Sequence, residues 1–523
     1  MTDKIGYTRH GDVAVLRIKN PPVNALSHAV REGLVAGMGQ AEADEGVKAV
    51  LVVGDGRAFI AGADITEFGK TPREPFLPDV CARIESSPLI VVASMHGVSL
   101  GGGLEIAMSA HYRIAQPSAK VGLPEVHLGL IPGAGGTQRL PRLIGVDAAL
   151  DLITSGRQVK ADEAETLGII DKIIEGDPQD VGLAYAENLI ANDAPRRAIS
   201  EMKAPAPIDW DAAYDGILKK GRGQIAPAQA VRAVQASIEL PFNQGMQAER
   251  EMFMDLMKTD QRQGMIHAFF SERAVGNLPE LKGVEPRALQ SIGIIGGGTM
   301  GAGIATAALL AGFNVVLIEM KLDAAEAARG RISSNLSGAL KRGKISELQF
   351  KTLTTIALEV SINYDSLASV DLVIEAVFED MAVKKDVFGK LDAVCKPDAI
   401  LASNTSYLDI DEIAASTSRP ESVIGLHFFS PAYRTAADHI VLDGASPYQI
   451  DNALVDFGFA MGPFAVADLA GLDIGWATRK RKAPTRHAAE RVPTYPDKIC
   501  EGGNFGQKTG KGFYVYEAGT RGG

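Results

Sequence analysis

Apolar positions in the first part of the chain fall in short runs punctuated by glycine and proline, and these runs alternate with stretches of helical period. Residues 12–18 (DVAVLRI) predict a strand, Pro21-Pro22-Val23-Asn24-Ala25-Leu26 a turn, and Ser27 the cap of an amphipathic helix reaching about Ala43. VKAVLVVGDG predicts the next strand, ended by Gly54-Asp55-Gly56. The apolar run LIVVASM leads into His96-Gly97 and then Gly101-Gly102-Gly103, after which Leu104, Ile106, Ala107 and Met108 read as one packed helix. Beyond Gly136, TQRLPRLIG, DAALDLITSG and residues 161–167 have helical period, followed by the short apolar run GIIDKII. From Val181 to about Arg287 the pattern is mainly helical, interrupted by APAPIDW and ELPFNQG. That region is expected to be a linking helical layer that closes the first domain, without a catalytic part.

The second half opens with SIGIIGGGTMGAGIATAALLAGFNVVLIEM, which predicts strand, glycine turn, helix and strand. Gly296, Gly298 and Gly301 form G-x-G-x-x-G in that context, and Glu319 ends the following strand, 23 residues after the first glycine. The first two glycines make the turn and admit a pyrophosphate, and the helix start supplies donors for it. Glu319 can accept both ribose hydroxyls, and its charge would repel a 2′-phosphate, which favours NAD over NADP. DLVIEAVFED, ILASNTSYL and GLHFFSP are three further apolar strands that each end in polar residues. Strand ends are where an open parallel sheet presents its ligand.

Composition narrows the class. A chain of 523 residues exceeds what one core usually serves, so about three domains are expected. A net charge of -11 argues against nucleic acid or an anionic membrane as the main partner. The basic patch RKRKAP at 479–484 is expected to be a solvated helix end. Cys81, Cys395 and Cys500 are too few and too far apart for a disulfide framework or a metal cluster. The N-terminus enters a strand without a secretion-signal pattern, no apolar run is long enough to cross a bilayer, and GTRGG at the end carries no readable address. A cytoplasmic chain is the expectation.

The candidate chemistry of the first half centres on Gly101-Gly102-Gly103. Glycines at a helix start let a ligand approach the backbone, and the first free N–H groups face it with the positive end of the helix dipole behind them. Such a place holds an oxyanion. Glu105 lies on the first turn of that helix, and Glu125 follows in a Gly-Leu-Pro-Glu turn. Two carboxylates near an oxyanion site equip a protein for proton removal beside a carbonyl or for adding water to an activated double bond.

Three ordered motifs, GRAFIAGADITEF at 56–68, GGGLEIA, and LPEVHLGLIPGAGGTQRLPRLIG at 123–145, resemble the enoyl-CoA hydratase/isomerase (crotonase) family over roughly the first 190 residues. The resemblance implies an oxyanion hole from the N–H groups of Ala63 and Gly102. It also implies Glu105 and Glu125 as the acid/base pair that hydrates a 2-enoyl-CoA or shifts a 3-double bond to position 2. IHAFFSERAVGNLP at 266–279 resembles the connecting helix of bacterial multifunctional fatty-acid oxidation proteins. Residues from about 290 to 432 resemble the NAD-binding half of 3-hydroxyacyl-CoA dehydrogenases. This implies NAD contacts at Met300, Glu319, Val377, Glu379, Lys384, Ser406 and Ser430. His427 is then the base that takes the 3-hydroxyl proton, and Ser406 holds the same oxygen.

After Ser-Pro-Ala the pattern departs from that family. The family continues with a strand bearing a glutamate that orients the histidine, whereas here YRTAADHIVLDG follows at once, as if several dozen residues were absent between Ala432 and Tyr433. Asp438, the nearest acidic residue, is expected to be a surface charge. Loss of the orienting carboxylate would impair the dehydrogenase, and loss of the strand would leave a sheet edge and apolar surface uncovered. FGQKTGKGFYVYEAG at 505–519 matches the end of the first C-terminal dehydrogenase repeat; the second repeat of the long bacterial proteins is absent.

The expected architecture is α/β. A crotonase-like (ββα) domain occupies 1–190, a helical layer and linker 191–288, a Rossmann-type NAD-binding domain 289–432, and an incomplete all-helical dehydrogenase domain 433–523. Acyl-CoA thioesters are the expected substrates and NAD the cofactor, with no metal. The family's long members occur as monomers or assembled with a thiolase. Two rivals are a crotonase-fold thioester hydrolase and a hydratase whose second half binds NAD or acyl-CoA without turnover.

Overall fold

The computed structural model describes residues 2–67, 69–221, 223–427, 434–486 and 491–517. The chain divides into two units, Met1–Lys282 and Gly283–Gly523.

Among the described residues of the first unit the strands are β1 (Ile5–His10), β2 (Val13–Ile18), β3 (Ala49–Gly54), β4 (Ile90–Met95), β5 (Val98–Leu100), β6 (Tyr112–Ala115), β7 (Lys120–Gly122), β8 (Val159–Lys160) and β9 (Lys172–Ile173). A six-stranded sheet runs β1-β2-β3-β4-β6-β9, antiparallel only at β1–β2, and β5-β7-β8 form a small second sheet. The central strands are apolar at nearly every position because both sheet faces are covered. Along β2 and β3, Ala14, Leu16, Ile18, Val50 and Val52 enter the main core, whereas Val13, Val15, Leu51 and Val53 pack on the other face with Ala186 and Leu189 of the helix Pro178–Ala191. The period of two separates the faces.

Residues of the later helical stretch join the same core. Helix Ile225–Glu239 sends Ala226, Ala230, Val231, Ala233 and Val234 into the main core, and helix Phe242–Leu256 adds Leu256.

In the second unit β10 (Ser291–Ile295), β11 (Asn314–Ile318), β12 (Leu358–Ser361), β13 (Leu372–Glu375), β14 (Ile400–Ser403) and β15 (Val423–Gly425) form one parallel sheet, ordered β12-β11-β10-β13-β14-β15. The order reverses beside β10, the strand that feeds the glycine turn, which is where a doubly wound sheet opens a crevice for its ligand. Among the described residues β15 is an edge strand, and its Ile424 is 40% exposed. The junction expected at Ala432 and Tyr433 lies outside the described residues.

Beyond it, five helices among the described residues surround a small core of Ala437, Ile450, Phe464, Leu472, Cys500 and Phe513. Two buried carboxylates tie that core together. Asp451 accepts from the N–H groups of Phe464 and Ala465 and from the Tyr514 hydroxyl, and Asp468 accepts from the N–H groups of Phe513 and Tyr514 and from the Tyr516 hydroxyl. Asp438 is not the surface charge expected: it is 9% exposed and accepts the Tyr495 phenolic hydrogen, a partner 57 residues away that turns a polar helix position into a buried one. The basic patch is also only partly solvated, since Arg479 pairs with Asp497 and the Lys480 ammonium lies 3.3 Å from the Trp476 ring centroid. No described helix is long and apolar enough to cross a membrane, and no cluster of metal-ligating side chains occurs among the described residues.

Candidate active site

The helix Gly102–Ser109 starts at Gly101, whose φ of +53° is a conformation glycine adopts without strain. Gly101 donates its N–H to the Gly122 carbonyl across to β7, and its own carbonyl receives the amides of Leu104 and Glu105. This closes the first turn and leaves the Gly102 N–H without a backbone acceptor. Ala63 bridges to Leu26, and its N–H likewise has no backbone acceptor. A Cβ built on Gly102 would lie 3.5 Å from the Ala63 nitrogen, so the structure brings these two expected donors together. The same Cβ would meet Leu77 Cδ2 at 2.7 Å.

Glu105 is 2% exposed, and its Oε1 accepts from the amides of Ala134 and Gly136, each at 2.8 Å. Burial raises its pKa, opposed by those two amides and by the Arg139 charge. Glu125 opens a short 3₁₀ turn, Glu125–Leu128. Its carboxyl lies against Gly101, and its Oε2 is buried without a hydrogen-bond partner. Burial pushes its pKa well above the usual carboxylate range, and the charges of Glu105 and Glu249 push it further. The expected carboxyl pair is therefore in one buried cluster.

A third carboxyl completes that cluster. Glu249, on helix Phe242–Leu256, is fully buried and accepts from the amides of Gly135 at 2.7 Å and Thr137 at 3.0 Å and from the Thr137 hydroxyl. Burial, with the Glu105 charge added, pushes it up to about 8. Nothing local in AEREMF separates Glu249 from its solvated neighbours; the only signal is the spacing of Gly245, Glu249 and Leu256 on one buried face. A cavity of about 250 Å³ is lined by Phe76, Asp79, Gly133, Met246, Gln247 and Arg250.

In the second unit the glycine turn is packed tightly on one side and open on the other. A Cβ at Gly301 would fall 1.8 Å from the Gly296 carbonyl oxygen, whereas one at Gly298 would meet open space. Glu319 accepts the Gly297 amide at 2.7 Å and so sits at the turn, with Met300 beside it and 43% exposed. Glu379 Oε1 accepts from the Thr405 hydroxyl and from the amides of Ser406 and Tyr407. Val377 donates its amide to Glu375. Lys384 is 1% exposed, and its ammonium meets both Glu375 oxygens at 2.7 and 2.8 Å, so it faces the sheet rather than open solvent. Ser406 Oγ and His427 Nε2 are 2.8 Å apart. Ser430 lies outside the described residues.

Known families match successive parts of the chain. The enoyl-CoA hydratase/isomerase family matches residues 8–204, the 3-hydroxyacyl-CoA dehydrogenase NAD-binding domain residues 291–463, and the 3-hydroxyacyl-CoA dehydrogenase C-terminal domain residues 428–516. The peroxisomal bifunctional enzyme of Danio rerio is 39% identical over 575 residues, taking in 97% of this chain and 79% of that protein. The human peroxisomal bifunctional enzyme is 38% identical, over 98% of this chain and 80% of its own length. The glyoxysomal multifunctional protein MFP-a of Brassica napus is 33% identical, over 97% and 79%. The chain belongs to the multifunctional β-oxidation enzymes.

As a member of that family it is an enzyme that joins an enoyl-CoA hydratase/isomerase domain of crotonase-like fold to a 3-hydroxyacyl-CoA dehydrogenase made of a Rossmann NAD-binding domain and a helical C-terminal domain. Two details bear on the junction. The two dehydrogenase families overlap across residues 428–463. The alignment with the Danio rerio enzyme is longer than this whole multifunctional chain, so that relative carries several dozen residues with no counterpart here.

Proposed function

We propose that hydration of a trans-2-enoyl-CoA runs on Glu105 and Glu125 beneath an oxyanion hole formed by the amides of Ala63 and Gly102. The observation that supports this reading is the shared burial of the two carboxyls beside those two unengaged donors. The thioester oxygen accepts from both N–H groups as negative charge grows on it. The environments of the two carboxyls differ in a way that assigns the roles. Glu105 keeps two amides on Oε1, which favours its ionised form, so it takes the proton from water as the water oxygen bonds to C3. Glu125 lacks such donors on Oε2 and has the more strongly raised pKa, so it gives its proton to C2. The same pair moves a proton from C2 to C4 when the double bond starts at position 3.

For the second half, Gly296, Gly298, Gly301 and Glu319 would hold NAD, with Met300, Val377, Glu379, Lys384 and Ser430 around it. NAD, when bound, supplies the hydride acceptor. His427 takes the proton of the 3-hydroxyl, and Ser406, 2.8 Å from its Nε2, holds the same oxygen. The departure of the sequence from the dehydrogenase pattern after Ala432 is the ground for expecting slow turnover of this half. The three buried free cysteines suit a compartment that keeps thiols reduced, as the cytoplasm does. The named relatives are peroxisomal or glyoxysomal, and cell fractionation decides between the two.

Two assays on the purified chain test the scheme. With crotonyl-CoA, loss of enoyl absorbance without release of free CoA thiol is expected; thiol release would make the protein a thioester hydrolase. With 3-hydroxybutyryl-CoA and NAD, NADH is expected to form slowly, and a rate like that of intact dehydrogenases would contradict the impairment.

A further inference from the structure

The amides of the 134–137 turn are divided between two carboxylates in strict alternation. Ala134 and Gly136 donate to Glu105, and Gly135 and Thr137 donate to Glu249. The turn leads into the helix Gly136–Ile144, so the Gly136 and Thr137 amides are also unsatisfied first donors of a helix, where carboxylates are favoured. Glu249 reaches them from a different helix, one that lies beyond the residues matched by the hydratase family.

That helix is set tightly against the turn. A Cβ at Gly245 would meet Gln138 Oε1 at 2.2 Å, and one at Gly133 would meet the Phe253 ring at 2.6 Å. Gly245, Glu249 and Phe253 lie one turn apart on one face. Gln138 supports the arrangement, since its Nε2 donates to both the Thr137 hydroxyl and the Ala233 carbonyl.

We propose that Glu249 is a positioning residue for the hydration step: by holding the Gly135 and Thr137 amides it fixes the turn whose other two amides aim Glu105 at the attacking water. The inference rests on the acid/base reading above. Its physical basis is that Glu105 Oε1 is held by two alternate amides of a turn whose intervening amides are held by Glu249. If the turn rotates, the base is displaced, and a shift of about 1 Å in a reacting group can cost about a hundredfold in rate. The charged groups facing Glu249 and Glu105 are Glu125 and Arg139, and Arg139 is itself neutralised by Glu85 at 2.6 Å.

The test uses the full chain with Glu249→Gln and Glu249→Asp, assayed on crotonyl-CoA, beside Glu105→Gln. The glutamine keeps the volume but turns an NH₂ toward an N–H donor. It is expected to lower kcat by about tenfold to a hundredfold with KM within about twofold, and to move the pH profile of kcat; the aspartate is expected to restore part of the loss. Unchanged kcat and pH profile in Glu249→Gln, or a change in KM alone, overturns the proposal. If that variant does not fold, Gly245→Ala, whose Cβ would meet Gln138 Oε1 at 2.2 Å and so presses the helix carrying Glu249 off the turn, takes its place, and native kcat and pH profile in it overturn the proposal equally. Should Glu105→Gln itself retain full turnover, the acid/base reading fails; its loss of turnover beside an unaffected Glu249→Gln sinks the positioning role alone.

Discussion

The Oε1 atom of Glu125 lies against the α-carbon of Gly101, so closely that a methyl group built on Gly101 would fall 2.7 Å from it. The glycine that starts the Gly102–Ser109 helix is thus also the floor beneath the candidate acid. Alanine at 101 would have to displace the carboxyl and adopt φ +53°, ψ -126°, which side chains avoid. Gly101→Ala is expected to cost about 1–3 kcal/mol of stability in the first unit and most of the hydratase activity. Urea unfolding and crotonyl-CoA hydration check the two parts.

The pKa of Glu249 makes stability depend on pH. Its folded value of about 8 lies above the value of about 4.3 for an unfolded glutamate, so between these values the folded state holds a proton that the unfolded state has released. Its contribution therefore falls as pH rises from about 4.3 to about 8 and levels off above. Glu249→Gln has no such proton. Its melting temperature is expected to drop less between pH 5 and pH 8 than that of the native chain, as read by thermal melts; equal drops would show that Glu249 does not titrate in this window.

Gly301 faces a different obstacle, since its Cβ would fall 1.8 Å from the Gly296 carbonyl oxygen. Gly301→Ala is expected to open the glycine turn and weaken NADH binding by more than about tenfold. Hydration of crotonyl-CoA should be unaffected, because the mutated turn belongs to the other unit. NADH fluorescence titration measures the first effect, and native affinity would show that the turn does not hold the cofactor.

The carboxyl cluster was legible in the sequence only where its signals are local. Gly101 to Glu105 and the Gly-Leu-Pro-Glu turn carry their chemistry within a few residues, and the structure places both carboxyls in one buried site beside Ala63 and Gly102. Glu249 was illegible because its role comes from packing against a turn more than a hundred residues earlier. The same holds for Asp438, whose burial depends on Tyr495. The alternation of strand and helix was readable because the sheets are built from continuous apolar runs, such as AVLVVG in β3 and NVVLI in β11.

Lys384 illustrates the other limit. The sequence does not show that this lysine, one turn into the helix Met381–Val394, pairs with Glu375 at the end of β13 and lies 3.7 Å from Glu379. Lys384→Met would leave a carboxylate with no solvent exposure and no counter-charge, expected to cost about 3–5 kcal/mol in the second unit. The double change Glu375→Leu/Lys384→Met should recover most of that loss. Denaturant midpoints of the three proteins give the comparison, and a single variant as stable as the native chain would show that the pair contributes nothing.

The most direct measurement is the turnover of crotonyl-CoA by Glu125→Gln, made alongside binding of a non-reacting acyl-CoA thioester. The glutamine preserves shape and removes the proton that C2 must receive. Hydration is expected to fall by at least about a hundredfold while the thioester binds as before. Native turnover in that variant would mean that C2 is protonated from elsewhere, and the assignment of Glu105 and Glu125 as base and acid would be wrong.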